Sequence, residues 1–155
     1  MSELILLSHP LFGVLGILAG VWVLVDALNV TPETEGRVRS VSLLVAALIW
    51  LAYLFGGYWY VFSYTPEKAI ILKGPWPFAH AFFMETKEHA FFMLLLLATF
   101  LPIAARDNLA ASPGARRLVC WTAVLVIGLG LMMDGSGAFI SMGVKLGLMP
   151  AAAPM

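Results

Sequence analysis

Apolar positions along this chain gather into four long blocks, roughly Leu4–Leu28, Val41–Ser63, Ala79–Ala105 and Arg117–Gly143. Each block holds 23 to 27 residues. A helix needs about 20 apolar residues to cross the hydrocarbon layer of a bilayer, so each is long enough, with a turn to spare for tilt. The pattern predicts an all-α fold, a four-transmembrane-helix bundle running up-down-up-down. It treats residues 1–155 as one integral membrane domain.

The breaks between blocks share a signal. A hydroxyl residue precedes a proline at Thr31-Pro32, Thr65-Pro66 and Ser112-Pro113. Serine or threonine caps a helix N-terminus, and proline suits the first helical position because its missing N–H has no partner there. Thr31 and Ser112 are therefore expected to launch the second and fourth spans. Thr65 is expected to open a separate interfacial helix, "PEKAIILK", ahead of the loop "GPWPFAH". Tyr58, Trp59, Tyr60, Tyr64 and Trp76 crowd this end and read as an interfacial aromatic belt.

Composition agrees with the pattern. The chain is 61% hydrophobic and 12% charged, too little charge to coat a soluble domain of this size. Formal net charge is zero, which leaves no basic footprint for nucleic acid. The single Cys120 excludes an internal disulfide framework. The first ten residues, "MSELILLSHP", lack the basic start of a cleaved leader. Arg37, Arg39, Arg106, Arg116 and Arg117 fall on one side, against Lys68, Lys73, Lys87 and Lys145 on the other. That bias places the arginines on the cytoplasmic side and both termini outward, in the periplasm of a bacterial inner membrane.

Candidate chemistry emerges from depth. His9 lies 17 residues from Asp26, His89 17 from Arg106, Asp134 17 from Arg117, and Gly56 17 from Arg39. At a rise of about 1.5 Å per residue, all four share a level about 25 Å from the arginine side. His9, Gly13, Gly16 and Gly20 make one helical stripe. Glu85 and His89 share a face with Phe92, Met93 and Leu96, with Lys87 pointing away to snorkel outward. On the fourth span Gly130, Asp134 and Gly137 line up. His80 reads as interfacial.

Two imidazoles on different helices at one depth, beside glycines that clear a flat space, suit a six-coordinate haem b. His9 and His89 are then the axial ligands. Gly13, Gly16, Gly56 and Gly57 line the macrocycle, Glu85 and Asp134 orient the imidazoles, and Lys87, Tyr58 or Tyr60 meets the propionates. There is no CxxCH for covalent attachment. The expectation is a b-type cytochrome passing electrons between a quinone pool or membrane partner and a periplasmic carrier. One alternative is a non-haem metal centre built from Glu85, Glu88, His89 and Asp134. The other is a cofactor-free accessory subunit of a larger membrane complex. For the glycine stripe itself, close helix packing of the GxxxG type competes with the cofactor reading.

Overall fold

A computed structural model describes residues 2–149 and shows four long helices: α1 (Ser2–Leu28), α2 (Glu35–Lys73), α3 (Glu85–Ala104) and α4 (Pro113–Leu148). A short π-helical segment, Ala79–Met84, runs directly into α3. All four helices are long and apolar enough to cross a membrane, the third including the π-segment. α1 packs on α2 and α4, and α3 packs on the same two helices.

The distribution of side-chain size supports a lipid surround. Much of the interior is made of small or β-branched residues, among them Val23, Val38, Val45, Ala98, Val119, Ala123 and Val126, all fully buried, with Leu101 and Leu109 beside them. Bulk apolar side chains face outward, with Phe62 71% and Trp121 67% exposed. Water would penalise such a surface by roughly 25 cal/mol per Å², whereas hydrocarbon does not. Close approach of backbones, not size, then holds the helices together. A Cβ on Gly16 would come within 2.8 Å of Ile49, and one on Gly130 within 2.8 Å of Ile17. Gly74 and Gly147 meet backbone to backbone, where a Cβ on Gly74 would lie 2.9 Å from the Cα of Gly147. Gly16 and Gly20 are thus packing contacts, against Ile49 and Ile127.

Polar contacts tie the helix ends at the arginine side. Arg37 holds Asp26 through two hydrogen bonds of 2.6 and 2.8 Å, joining the end of α1 to the start of α2. Arg39 donates to the carbonyl of Ala105 at 3.1 Å, satisfying an orphan acceptor at the end of α3. Glu35 accepts from the amide of Ala110 at 2.7 Å, ahead of α4.

The helix starts show how far the hydroxyl–proline signal carries. Ser112 is the N-cap of α4, accepting from the amide of Ala115, with Pro113 in the first turn. Thr31 instead opens a turn, its carbonyl accepting from Thr34 and Glu35, and α2 begins at Glu35. Thr65 starts nothing. α2 runs through Pro66 without a break, the proline removing one backbone hydrogen bond that a long membrane helix tolerates. The interfacial helix expected there is the last part of α2. The tail "PAAAPM" lies outside the described residues.

Candidate functional site

A cavity of about 650 Å³ opens between the helices near the end away from the arginines. Its ionisable lining includes His9 of α1, Lys87 of α3 and Asp134 of α4, each from a different helix and each inside a span, together with Glu67, Glu88, Tyr53 and Tyr60. Asp134 lies against Gly13, one turn from His9, and Lys87 lies against Gly137, one turn from Asp134. An ionisable group at the bilayer centre costs about 2.5–3.5 kcal/mol on insertion scales, so a cluster of them around one cavity needs a physical reason.

Glycines seat these side chains. A Cβ on Gly56 would stand 2.5 Å from Nδ1 and 2.8 Å from Cε1 of His9. One on Gly13 would stand 3.0 Å from Oδ1 of Asp134, and one on Gly137 would stand 3.3 Å from Nζ of Lys87. The bare backbone of one helix therefore makes room for the polar group of another. The space expected for a flat macrocycle over Gly13 and Gly56 is occupied by a carboxylate and an imidazole.

His9 is oriented from α2. Its Nδ1 lies 2.8 Å from the carbonyl of Ala52. A carbonyl only accepts, so Nδ1 carries the proton, and in the neutral ring Nε2 is a bare acceptor. Asp134 has the opposite character: its Oδ2 is buried with no hydrogen-bond partner. Beside these, Tyr60 donates to Glu88 at 2.5 Å, and both line the cavity. Tyr53 and Phe91, stacked with centroids 5.2 Å apart, form part of its wall.

Of the residues singled out from sequence, the structure brings His9, Gly13, Gly56, Gly57 and Asp134 onto this cavity. Gly16 packs elsewhere, as described. Glu85 and His89 lie on the opposite face of α3, both exposed. The Nδ1 of His89 donates back to the carbonyl of Glu85, one turn earlier. Phe92, Met93 and Leu96, which share that face, are exposed as well. The inward face carries Lys87, Glu88, Phe91, Leu94 and Leu95. Lys87 therefore points in where the sequence reading sent it outward, and His89 points out where that reading turned it inward. The apolar stripe Leu94, Leu95, Ala98 and Leu101 is buried, and Lys87 lies on its extension at helical spacing. That stripe was the signal available in the sequence.

His80 also differs from expectation. It is buried, 2.9 Å from the hydroxyl of Tyr64 at Nδ1, with Nε2 3.7 Å from Glu85. Tyr64 is buried too, so it belongs to this packed cluster and not to an aromatic belt.

The donor sets can be compared with the expected cofactors. One imidazole faces the cavity, so paired histidine ligation of a haem between His9 and His89 does not fit this arrangement. Among the described residues, no three His, Cys, Asp or Glu side chains gather closely enough to hold a metal ion. Glu85 and His89 face outward while Glu88 and Asp134 line the cavity, which divides the proposed carboxylate-rich set. No protein-family model matches this chain, and no curated protein or solved structure matches it either.

Proposed function

We propose that this protein binds a lipid-soluble, head-and-tail small molecule in its intramembrane cavity. The observation that carries this reading is the convergence of His9, Lys87 and the unpartnered Asp134 on one cavity with apolar walls. Its volume falls within the usual range of small-molecule pockets, about 300–1,000 Å³. Its lining includes Leu6, Leu7 and Pro10 of α1 and Val61 of α2, all exposed on the outside of the bundle. The opening therefore faces hydrocarbon between α1 and α2, the route for a ligand that partitions into the bilayer.

Native mass spectrometry of the detergent-purified protein, combined with solvent extraction, tests this. The expected result is a lipophilic compound in stoichiometric amount, lost in Asp134→Leu. The same variant is expected to unfold about 1–3 kcal/mol less readily in ligand-free form, because an unpaired buried carboxylate is removed. An empty wild-type protein that takes up no lipophilic compound would overturn the reading.

One observation favours a second reading, haem b with His9 as one axial ligand. The carbonyl of Ala52 fixes the ring as second-sphere acceptors fix ligating histidines, and the thioethers of Met84 and Met133 line the same cavity. Haem would supply one-electron transfer, in line with a quinone pool or redox complex as partner. A red preparation whose Soret band shifts on reduction, and is lost in His9→Ala, distinguishes it from the first reading.

We infer further that successive spans alternate in direction, supported by the contacts of Asp26 with Arg37 and of Arg39 with Ala105. With Lys87 facing the cavity, the cavity end keeps Lys68, Lys73 and Lys145 against five arginines at the other. This sharpens the bias that puts the arginines in the cytoplasm and both termini in the periplasm of a bacterial inner membrane.

A further inference from the structure

Resting on the cavity-binding reading above, we propose that the ligand's head is a dihydroxylated aromatic ring of the hydroquinone type. The argument is an inventory of donors and acceptors. Neutral His9 spends its only ring proton on the carbonyl of Ala52 and offers Nε2 as an acceptor. Asp134 offers Oδ2, buried and without a partner, as a second acceptor. Lys87 carries only donors. Around these three groups the cavity thus asks for a head that donates twice and accepts once, and the other carboxylates on its wall, Glu67 and the Tyr60-bonded Glu88, add acceptors.

Few lipid-soluble heads meet that demand. A dicarbonyl ring satisfies Lys87 and leaves both acceptors dry. A carboxylate head pairs with Lys87 but faces Asp134 with like charge. An ammonium head pairs with Asp134 and meets Lys87 in the same conflict. A ring with two hydroxyls donates one to Asp134 and one to His9, while either oxygen accepts from Lys87. The wall suits a flat ring, since Tyr53 and Phe91 stack at an interplanar angle of 10° and both line the cavity. The apolar tail leaves past Leu6, Leu7 and Val61 into the bilayer.

Binding to the full-length protein in nanodiscs, read by quenching of Trp59 and the other tryptophans, tests this with three probes. They are a short-tailed lipophilic hydroquinone kept reduced, its quinone, and its bis-methyl ether. A buried acceptor left without a donor keeps its full desolvation penalty. The hydroquinone is therefore expected to bind at least about tenfold more tightly than either of the others. Asp134→Leu is expected to remove part of the advantage of the hydroquinone over the ether, the donation to His9 remaining, and to leave the ether unchanged. The wild-type comparison stands even if that variant does not fold. Equal affinity for hydroquinone and bis-methyl ether, or tighter binding of the quinone, overturns the assignment. If none of the three binds while another lipophilic compound is extracted from the native protein, the head class falls and the cavity reading stands. If nothing binds and nothing is extracted, both fall.

Discussion

A methyl group at position 56 would land on the imidazole of His9, 2.5 Å from its Nδ1. Neither partner can yield cheaply, because the same nitrogen is held by the carbonyl of Ala52. Gly56→Ala is therefore expected to displace the ring, cost about 1–3 kcal/mol of stability by overpacking, and abolish cavity binding. Gly128→Ala, with open space around its position, is expected to be neutral or slightly stabilising because alanine is the better helix former. Thermal unfolding of the two variants in one detergent measures the difference, and equal stability would refute the seating role of Gly56. At this scale the sequence was half legible. Glycine at positions 13, 56 and 137 announces that something must come close, but what comes close belongs to another helix. Opposite Gly16 it is Ile49, and opposite Gly13 it is Asp134. No local pattern separates the two cases.

Among the elements, depth was readable and direction was not. The rise per residue is nearly fixed in a helix, so counting inward put His9, Gly56 and Asp134 at one level, and the structure gathers them round one cavity. Which way a side chain faces depends on which stripe is buried, and on α3 the charge cluster drew attention from the buried Leu94, Leu95 and Ala98. The π-segment Ala79–Met84 adds a further offset, since each π turn takes in an extra residue and rotates the α-helical turns beyond it. Faces projected across it from His80 at uniform α-helical spacing are therefore out of phase. The junction between α1 and α2 carries its own prediction. Arg37 is half exposed while Asp26 is nearly buried, and the guanidinium grips the carboxylate at both oxygens. Removing the arginine leaves the carboxylate of Asp26 without its partner, so Arg37→Ala is expected to lower stability, by less than a fully buried pair would because Arg37 is half exposed. Arg37→Lys restores charge but not the paired geometry and is expected to recover part of the loss. Denaturation midpoints in micelles would show the order wild type, lysine, alanine. An alanine variant as stable as the wild type would show that the pair contributes nothing.

For the whole molecule, the polar ends differ in kind, and that difference has a topological consequence. At one end arginines are engaged in fixed contacts, Arg37 with Asp26 and Arg39 with the carbonyls of Ala105 and Asp107. At the other the lysines Lys68 and Lys73 lie towards the end of α2, and Lys145 in the last turn of α4. Because positive charge in short loops is retained on the cytoplasmic side of the membrane during insertion, the loop through Asn108 is expected inside and the loop through Pro75 outside. Cysteine labelling reads this directly. In a Cys120→Ala background, Pro75→Cys in intact cells is expected to react with a membrane-impermeant maleimide. Asn108→Cys is expected to react only after the membrane is opened. The reverse pattern would invert the protein and turn the cavity towards the cytoplasmic leaflet. Labelling of both positions in intact cells would mean that the four helices do not hold one orientation. The expected pattern places His9, Lys87 and Asp134 in the outer half of the bilayer, so a ligand head reaching them would enter from the outer leaflet.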